Sequence, residues 1–131
     1  MELWLVREEE DYVHVALSGR LYVVGRPELQ TRFKDLTTGR GKHAIVDMSE
    51  VTFLASFGIR LLFQNAKLMA ATGARMVLLN PRTLVAETLL TAGMSEITPV
   101  AGNVEQALEI LRGNARRAKD ARREFPDGRD D

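Results

Sequence analysis

The chain alternates short apolar runs with stretches whose apolar residues recur at helical spacing. Tyr12 to Ser18 alternates strictly, with Val13, Val15 and Leu17 on one side and Tyr12, His14 and Ala16 on the other. That is the period of a half-buried strand. Leu3 to Arg7 predicts a short edge strand before it, with Glu8 to Asp11 as a charged turn. Gly19-Arg20 reads as a tight connection into a second short strand, Leu21 to Val24, so a hairpin or bulged pair is expected. Pro27 opens the first helix, at a position where no N–H bond is lost. Leu29, Phe33 and Leu36 form its apolar stripe, and Gly39 and Gly41 end it.

His43 to Asp47 is a short, mostly apolar run and predicts a buried strand. Ser49 to Ala55 is expected to be a loop, and Ser56 to cap the helix that follows. That helix carries Ile59, Leu62, Phe63, Ala66, Met69 and Ala70 on one stripe and stops at Gly73, with Asn65 and Lys67 on its solvated face. Met76 to Leu79 is apolar without alternation, the mark of a strand covered on both faces. Asn80-Pro81 breaks the chain before a helix from Arg82 to Ala92, closed by Gly93, and Glu96 to Val100 reads as a last strand. Asn103 caps a final helix with Val104, Ala107, Leu108 and Leu111, and Gln106 stands where a capping box needs it. The alternation predicts an α/β fold with right-handed crossovers: a mixed β-sheet of four to five strands with about four α-helices. The apolar pattern fades at Gly113. Residues 1–112 are therefore read as one domain and 113–131 as a charged, disordered C-terminal tail.

At 131 residues and 45% hydrophobic, the chain can bury one ordinary core. Eighteen basic residues balance 18 acidic ones, which argues against nucleic acid or an anionic membrane as the main partner. The absence of cysteine removes disulfides, thiol nucleophiles and thiolate metal sites together. The N-terminus has neither a basic leader nor a long apolar core, and no apolar run approaches the ~20 residues a spanning helix needs. A soluble, cytoplasmic protein without membrane insertion is expected. His14 and His43 have no acidic or histidine partner at ligand spacing, so no metal site is expected. No Walker loop or dinucleotide fingerprint occurs, and Ser56-Phe57-Gly58 lacks the first glycine of a nucleophile elbow. Neither catalysis nor a cofactor is expected.

One stretch carries a recognisable signature. Asp47 ends a strand, and Val51, Phe53, Leu54, Ala55, Ser56, Phe57, Gly58 and Ile59 follow. This order resembles the STAS family, the anti-sigma-factor antagonists and their relatives, over roughly Leu3 to Leu111. The family pattern has an aspartate where Ala55 stands and a second hydroxyl residue where Phe57 stands. Many members also carry an aspartate at Tyr22, after Gly19-Arg20-Leu21. The resemblance implies that Ser56 is phosphorylated by a partner kinase that is itself the anti-sigma factor. Tyr22, Ala55, Ser56, Phe57, Gly58 and Ile59 would then form the docking surface, and a phosphatase would reset the switch.

From the residues alone, Ser56 also reads as a plain helix cap, and the two roles are compatible. Phe57 reads as core more readily than as interface, and an exposed Phe57 would favour stable docking. Asp47 is expected to hold the loop by accepting its N–H groups, and Thr52 is a second hydroxyl beside Ser56. The family resemblance also admits a constitutive subunit of a larger assembly, such as a lipid-transport ABC transporter, without phospho-switching. A nucleotide sensor is a third reading that no phosphate loop supports. A homodimer is compatible with each.

Overall fold

The computed structural model describes residues 2–21, 27–94 and 97–112. Five strands form one mixed sheet in the order β1-β2-β3-β4-β5. They are β1 (Glu2–Glu8), β2 (Tyr12–Leu21), β3 (His43–Leu54), β4 (Met76–Leu79) and β5 (Val100–Ala101). β1 runs antiparallel to β2, and every other neighbouring pair is parallel. The helices are α1 (Pro27–Leu36), α2 (Ser56–Ala71), α3 (Thr83–Thr91) and α4 over residues 104–112, with a 3₁₀ turn at Thr38–Arg40. This is the α/β architecture the alternation of patterns predicts.

Period-two alternation divides the core between the two sheet faces. Val13, Val15 and Leu17 of β2, Ala44, Val46 and Met48 of β3, and Met76 and Leu78 of β4 point to one side. There they pack against Phe33 and Leu36 of α1, Phe57, Leu61, Leu62 and Met69 of α2, and Val85 and Leu89 of α3. The intervening residues Tyr12, Ile45, Val77 and Leu79 meet Ala107 and Leu111 of α4 on the other side. β4 is buried along its whole length, as its unbroken apolar run requires.

Three expectations are corrected. β2 is continuous through Leu21, with Gly19 at φ +92° inside it, so no turn forms at Gly19-Arg20. The hairpin partner of β2 is β1, joined through a turn closed by the Glu9 N–H donating to the Tyr12 carbonyl at 2.8 Å; residues 22–24 lie outside the described residues. Likewise β3 does not stop at Asp47 but runs to Leu54, and the expected loop Ser49–Ala55 is largely strand. Its disguise is two bulges. From Ala16 to Ser18 β2 advances two residues while β3 advances three, from Asp47 to Glu50; from Gly19 to Arg20 it advances one against two, from Val51 to Phe53. Each extra residue breaks the alternation, so that Met48, Val51 and Leu54 all reach the same core at a spacing of three. The last strand is Val100–Ala101, later than expected, because Ile97 and Thr98 N–H groups bond back to the Met94 carbonyl in a turn.

A buried polar contact fixes α2 against the 3₁₀ turn. Asn65, expected on the solvated face, is only 5% exposed. Its Nδ2 donates to the Leu61 carbonyl at 2.9 Å, and its Oδ1 accepts from Thr38 Oγ1 at 3.1 Å, so burial leaves neither end unsatisfied. At α4, Asn103 Oδ1 accepts from the Gln106 N–H at 2.8 Å, and Gln106 Oε1 accepts from Gly102 N–H at 2.7 Å, a reciprocal cap displaced by one residue.

Candidate functional site

β3 delivers the chain to α2 through one extended residue. Leu54 is buried, Ala55 lies at φ −145°, ψ −158°, and the helix begins at Ser56. Ala55, not Ser56, is therefore the N-cap, and its carbonyl accepts the first helical bond, from Ile59 N–H at 2.9 Å. This corrects the expectation of Ser56 as a cap: its hydroxyl belongs to the first helical residue, and no side chain caps this helix. The N–H groups of the first turn thus lack intrahelical partners, and the positive end of the helix is left for an anion or solvent.

Helical geometry then sorts the site residues. Phe57 and Gly58 turn inward with Leu61 and Leu62, one turn on, while Ser56 is exposed. Phe57 is only 7% exposed and sits in the main core, the place its residue type favours over a contact surface; an apolar ring beside a sheet is worth more buried than wet. Gly58 is buried too, so neither it nor Phe57 presents much to a partner. Ala55 and Ile59 are half-buried and flank the serine. Tyr22 lies outside the described residues.

Asp47 braces the approach to the site. Its Oδ1 accepts the Ser49 N–H at 2.9 Å, within the first β3 bulge. The Ser49 carbonyl accepts from Arg82 Nε at 2.9 Å, and Arg82 Nη2 stands 3.9 Å from Glu50 Oε1. Arg82, the residue just before α3, therefore ties the bulge to the start of that helix. Nothing local in the sequence marks this role, since the bonded groups are 33 residues apart. At the end of β2, the Arg20 guanidinium lies 5.0 Å from the centre of the Phe53 ring.

Among the described residues, two grooves open beside α2. One, of about 520 Å³, lies toward α3 and is lined by Leu54, Ile59, Val85, Thr88 and the exposed Phe53 and Leu84. The other, of about 250 Å³, lies toward α1 and is lined by Gln30, Lys34, Phe57, Arg60 and Gln64 among others. Thr52 is exposed and belongs to the first groove.

The histidines sit elsewhere. Burial lowers the pKa of both. His43 Nδ1 accepts the Arg75 N–H at 3.0 Å, and His14 Nε2 is buried without a hydrogen-bond partner among the described residues. No group of three or more metal-ligating side chains occurs among the described residues, and no described helix is long and apolar enough to cross a membrane.

Comparison with known proteins finds the same fold. The chain is similar in structure to a proposed anti-sigma factor antagonist of Thermotoga maritima, with a TM-score of 0.72 at 18% identity over 81% of this chain and 92% of that one. It is similar to the anti-sigma factor antagonist SpoIIAA in its unphosphorylated form, at TM-score 0.67 and 19% identity, covering 86% and 97% of the two chains. It also resembles part of the murine anion transporter Slc26a9, at TM-score 0.69 and 22% identity, over 82% of this chain but 19% of the transporter. At these identities the likeness is one of fold. No curated protein matches in sequence. The family model of the STAS domain matches residues 4–107, and with most of the chain inside that match the protein belongs to the STAS domain family.

Proposed function

We propose that this STAS domain is a regulatory protein-binding module of the anti-sigma-factor antagonist type, with no catalysis of its own. It binds a serine-kinase anti-sigma factor through Ser56 and the first turn of α2, and phosphorylation of Ser56 releases it. One observation carries this reading: Ser56 is exposed on the first turn of an uncapped helix while both residues after it are buried. The hydroxyl is accessible, and its backbone is held rigidly by a core that a kinase need not disturb. The partner kinase supplies the phosphoryl group, and the exposed position of Ser56 lets its hydroxyl reach that partner's active site. A phosphate adds roughly −1.5 to −2 charge. It suits the helix end in the free protein but costs heavily when desolvated in an interface. A phosphatase resets the cycle, in a cytoplasmic setting. SpoIIAA, which shares the fold, has been solved in phosphorylated and unphosphorylated forms.

The test is binding of the kinase to Ser56→Ala and Ser56→Asp. The alanine variant should stay bound and the aspartate variant should bind at least about tenfold more weakly, a difference near 1.4 kcal/mol. Equal binding by both removes the switch. A constitutive subunit of a transporter assembly is the second reading, favoured by the apolar groove beside Ser56 and by Ala55 in place of an acid. Co-purification with a transporter ATPase and an unmodified Ser56 would select it.

A further inference from the structure

β1 is the outer strand of the sheet, and among the described residues no strand pairs with its far edge. Trp4, Leu5 and Val6, in its middle, are 40%, 40% and 48% exposed. Consecutive strand residues point to opposite faces. Trp4 stands opposite Ala16, while Leu5 stands opposite Val15, whose side chain enters the main core. Exposed apolar surface therefore lies on both faces of one sheet edge. An added strand covers both faces at once, which a helix laid on either face does not. The backbone is set for such an addition. The Glu9 N–H bonds to the Tyr12 carbonyl at the turn, and hydrogen-bonded pairs alternate along an antiparallel ladder. Leu3 and Leu5, opposite Leu17 and Val15, thus aim their backbone groups away from β2. The Leu3 carbonyl agrees, since it accepts from Arg32 Nη1 of α1 at 2.8 Å.

We propose that the occupant is a second copy of this chain, its β1 added antiparallel across a two-fold axis through Trp4. Leu3 of each copy then meets Leu5 of the other, and these residues exchange the backbone hydrogen bonds. The two Trp4 side chains form the close pair between them, an aromatic pairing that antiparallel strands favour. Glu2 falls opposite Val6 and beside Arg7 of the second copy, so opposite charges flank the apolar centre at both ends. Other registers lose this match. An axis through Leu5 sets Glu2 against Glu8, like charges directly opposed, and an axis through Leu3 leaves Val6 uncovered. The charge pattern of β1 thus selects one register and is complementary to itself, as an interface between identical copies requires.

The fold also limits the assembly. The extra residue at Val6 bends the strand, and Arg32 occupies one side of the Leu3 carbonyl, so the pairing is short and the dimer reversible. At the opposite edge β5 has only two residues, Val100–Ala101, too few to extend the sheet into a fibre. Ser56 follows β3, two strands from β1, and takes no part. Dimerisation and the phospho-switch are therefore separate readouts.

The experiment is sedimentation velocity of the full chain over a dilution series through the micromolar range, with fluorescence recorded on the same samples. Trp4 is the single tryptophan of the chain, so the emission reports on this edge alone. The mass should rise from monomer to dimer with concentration, and the emission should shift to shorter wavelength in step as Trp4 leaves water. Leu5→Lys and Glu2→Arg, both at exposed positions, should each weaken the dimer about tenfold, with melting curves recorded to show that each variant is folded. The double variant Glu2→Arg/Arg7→Glu exchanges the charges and should restore the parent affinity, a rescue that only this register predicts. A chain that stays monomeric throughout, as it would if the edge serves a strand of another protein, overturns the proposal. So does a dimer that leaves the Trp4 emission unchanged, a dimer indifferent to Leu5→Lys, or a double variant no tighter than Glu2→Arg alone.

Discussion

Ser56 and Ala55 exchange the roles their residue types suggest. The serine is the better capping residue by chemistry, yet the extended backbone belongs to Ala55, whose methyl group bonds to nothing. Two outcomes follow for stability. Ser56→Ala should cost less than ~0.5 kcal/mol, since an exposed first-turn hydroxyl with no capping bond is removed. Ala55→Asp should instead stabilise the fold by about 0.5–2 kcal/mol, by accepting a first-turn N–H and placing a negative charge at the positive helix end. Urea denaturation of the two variants checks both. Phe57→Ala removes a buried ring and should cost about 3–5 kcal/mol, which melting of the same set would show.

The histidines give the fold a definite pH response. His43 must stay neutral at Nδ1 to accept the Arg75 N–H, and burial lowers the pKa of His14 and His43 alike. The nearby carboxylates Asp47 and Asp11 oppose those shifts without cancelling them. A folded-state pKa below the unfolded value means that the unfolded chain binds protons more readily. Stability contributed by the two histidines is thus complete above the ordinary value of 6.5 and is lost as pH falls through the lowered folded values. The urea midpoint should fall between pH 7 and pH 5, and His43→Asn, whose Oδ1 can accept the same N–H, should flatten part of that slope. A midpoint independent of pH over this range would contradict the assignment.

Among the elements, β3 is the one that shapes the site and the one least legible in the sequence. Its first half, Ala44-Ile45-Val46, is plain apolar strand. Its second half hides behind two bulges, and a bulge is a property of the pairing between two strands, not of either strand alone. Val51 and Leu54 look like loop residues until β2 is laid beside them. α2 is the opposite case, since most of its stripe from Ile59 to Ala70 is local and reads correctly; Ala70 is exposed, Leu61 is buried beside the stripe, and the burial of Asn65 depends on Thr38, 27 residues away. Arg82 belongs with these non-local features. Arg82→Ala should cost about 0.5–1.5 kcal/mol by freeing the Ser49 carbonyl. It should also speed amide exchange in β3 from Ser49 to Leu54 more than in Ala44 to Met48, which hydrogen-exchange mass spectrometry can resolve.

On the scale of the whole molecule, one sheet face is packed by α1, α2 and α3 and the other by α4, and the starts of α2 and α3 lie at the ends of parallel strands β3 and β4. Open parallel sheets place ligand and partner contacts at the carboxyl ends of their strands, and Ser56 stands there. The overall alternation of strand and helix was readable because periods of two and 3.6 are local properties. At the site, the local features are that Ser56 is exposed, Asp47 accepts the Ser49 N–H at the first bulge, and Phe57 is core. Which partner faces Ser56 depends on surfaces assembled from α1, α2 and α3, and no single stretch of sequence carries that.

The account turns on whether Ser56 carries the switch. The direct measurement is peptide mass spectrometry of the protein purified from its native host together with whatever binds it. The account predicts one phosphoryl group, on the peptide containing Ser56, in the fraction free of a kinase partner, and an unmodified Ser56 in the kinase-bound fraction. Phosphate on a kinase-bound Ser56, or Ser56 unmodified in every fraction while the chain stays with a transporter ATPase, would contradict it.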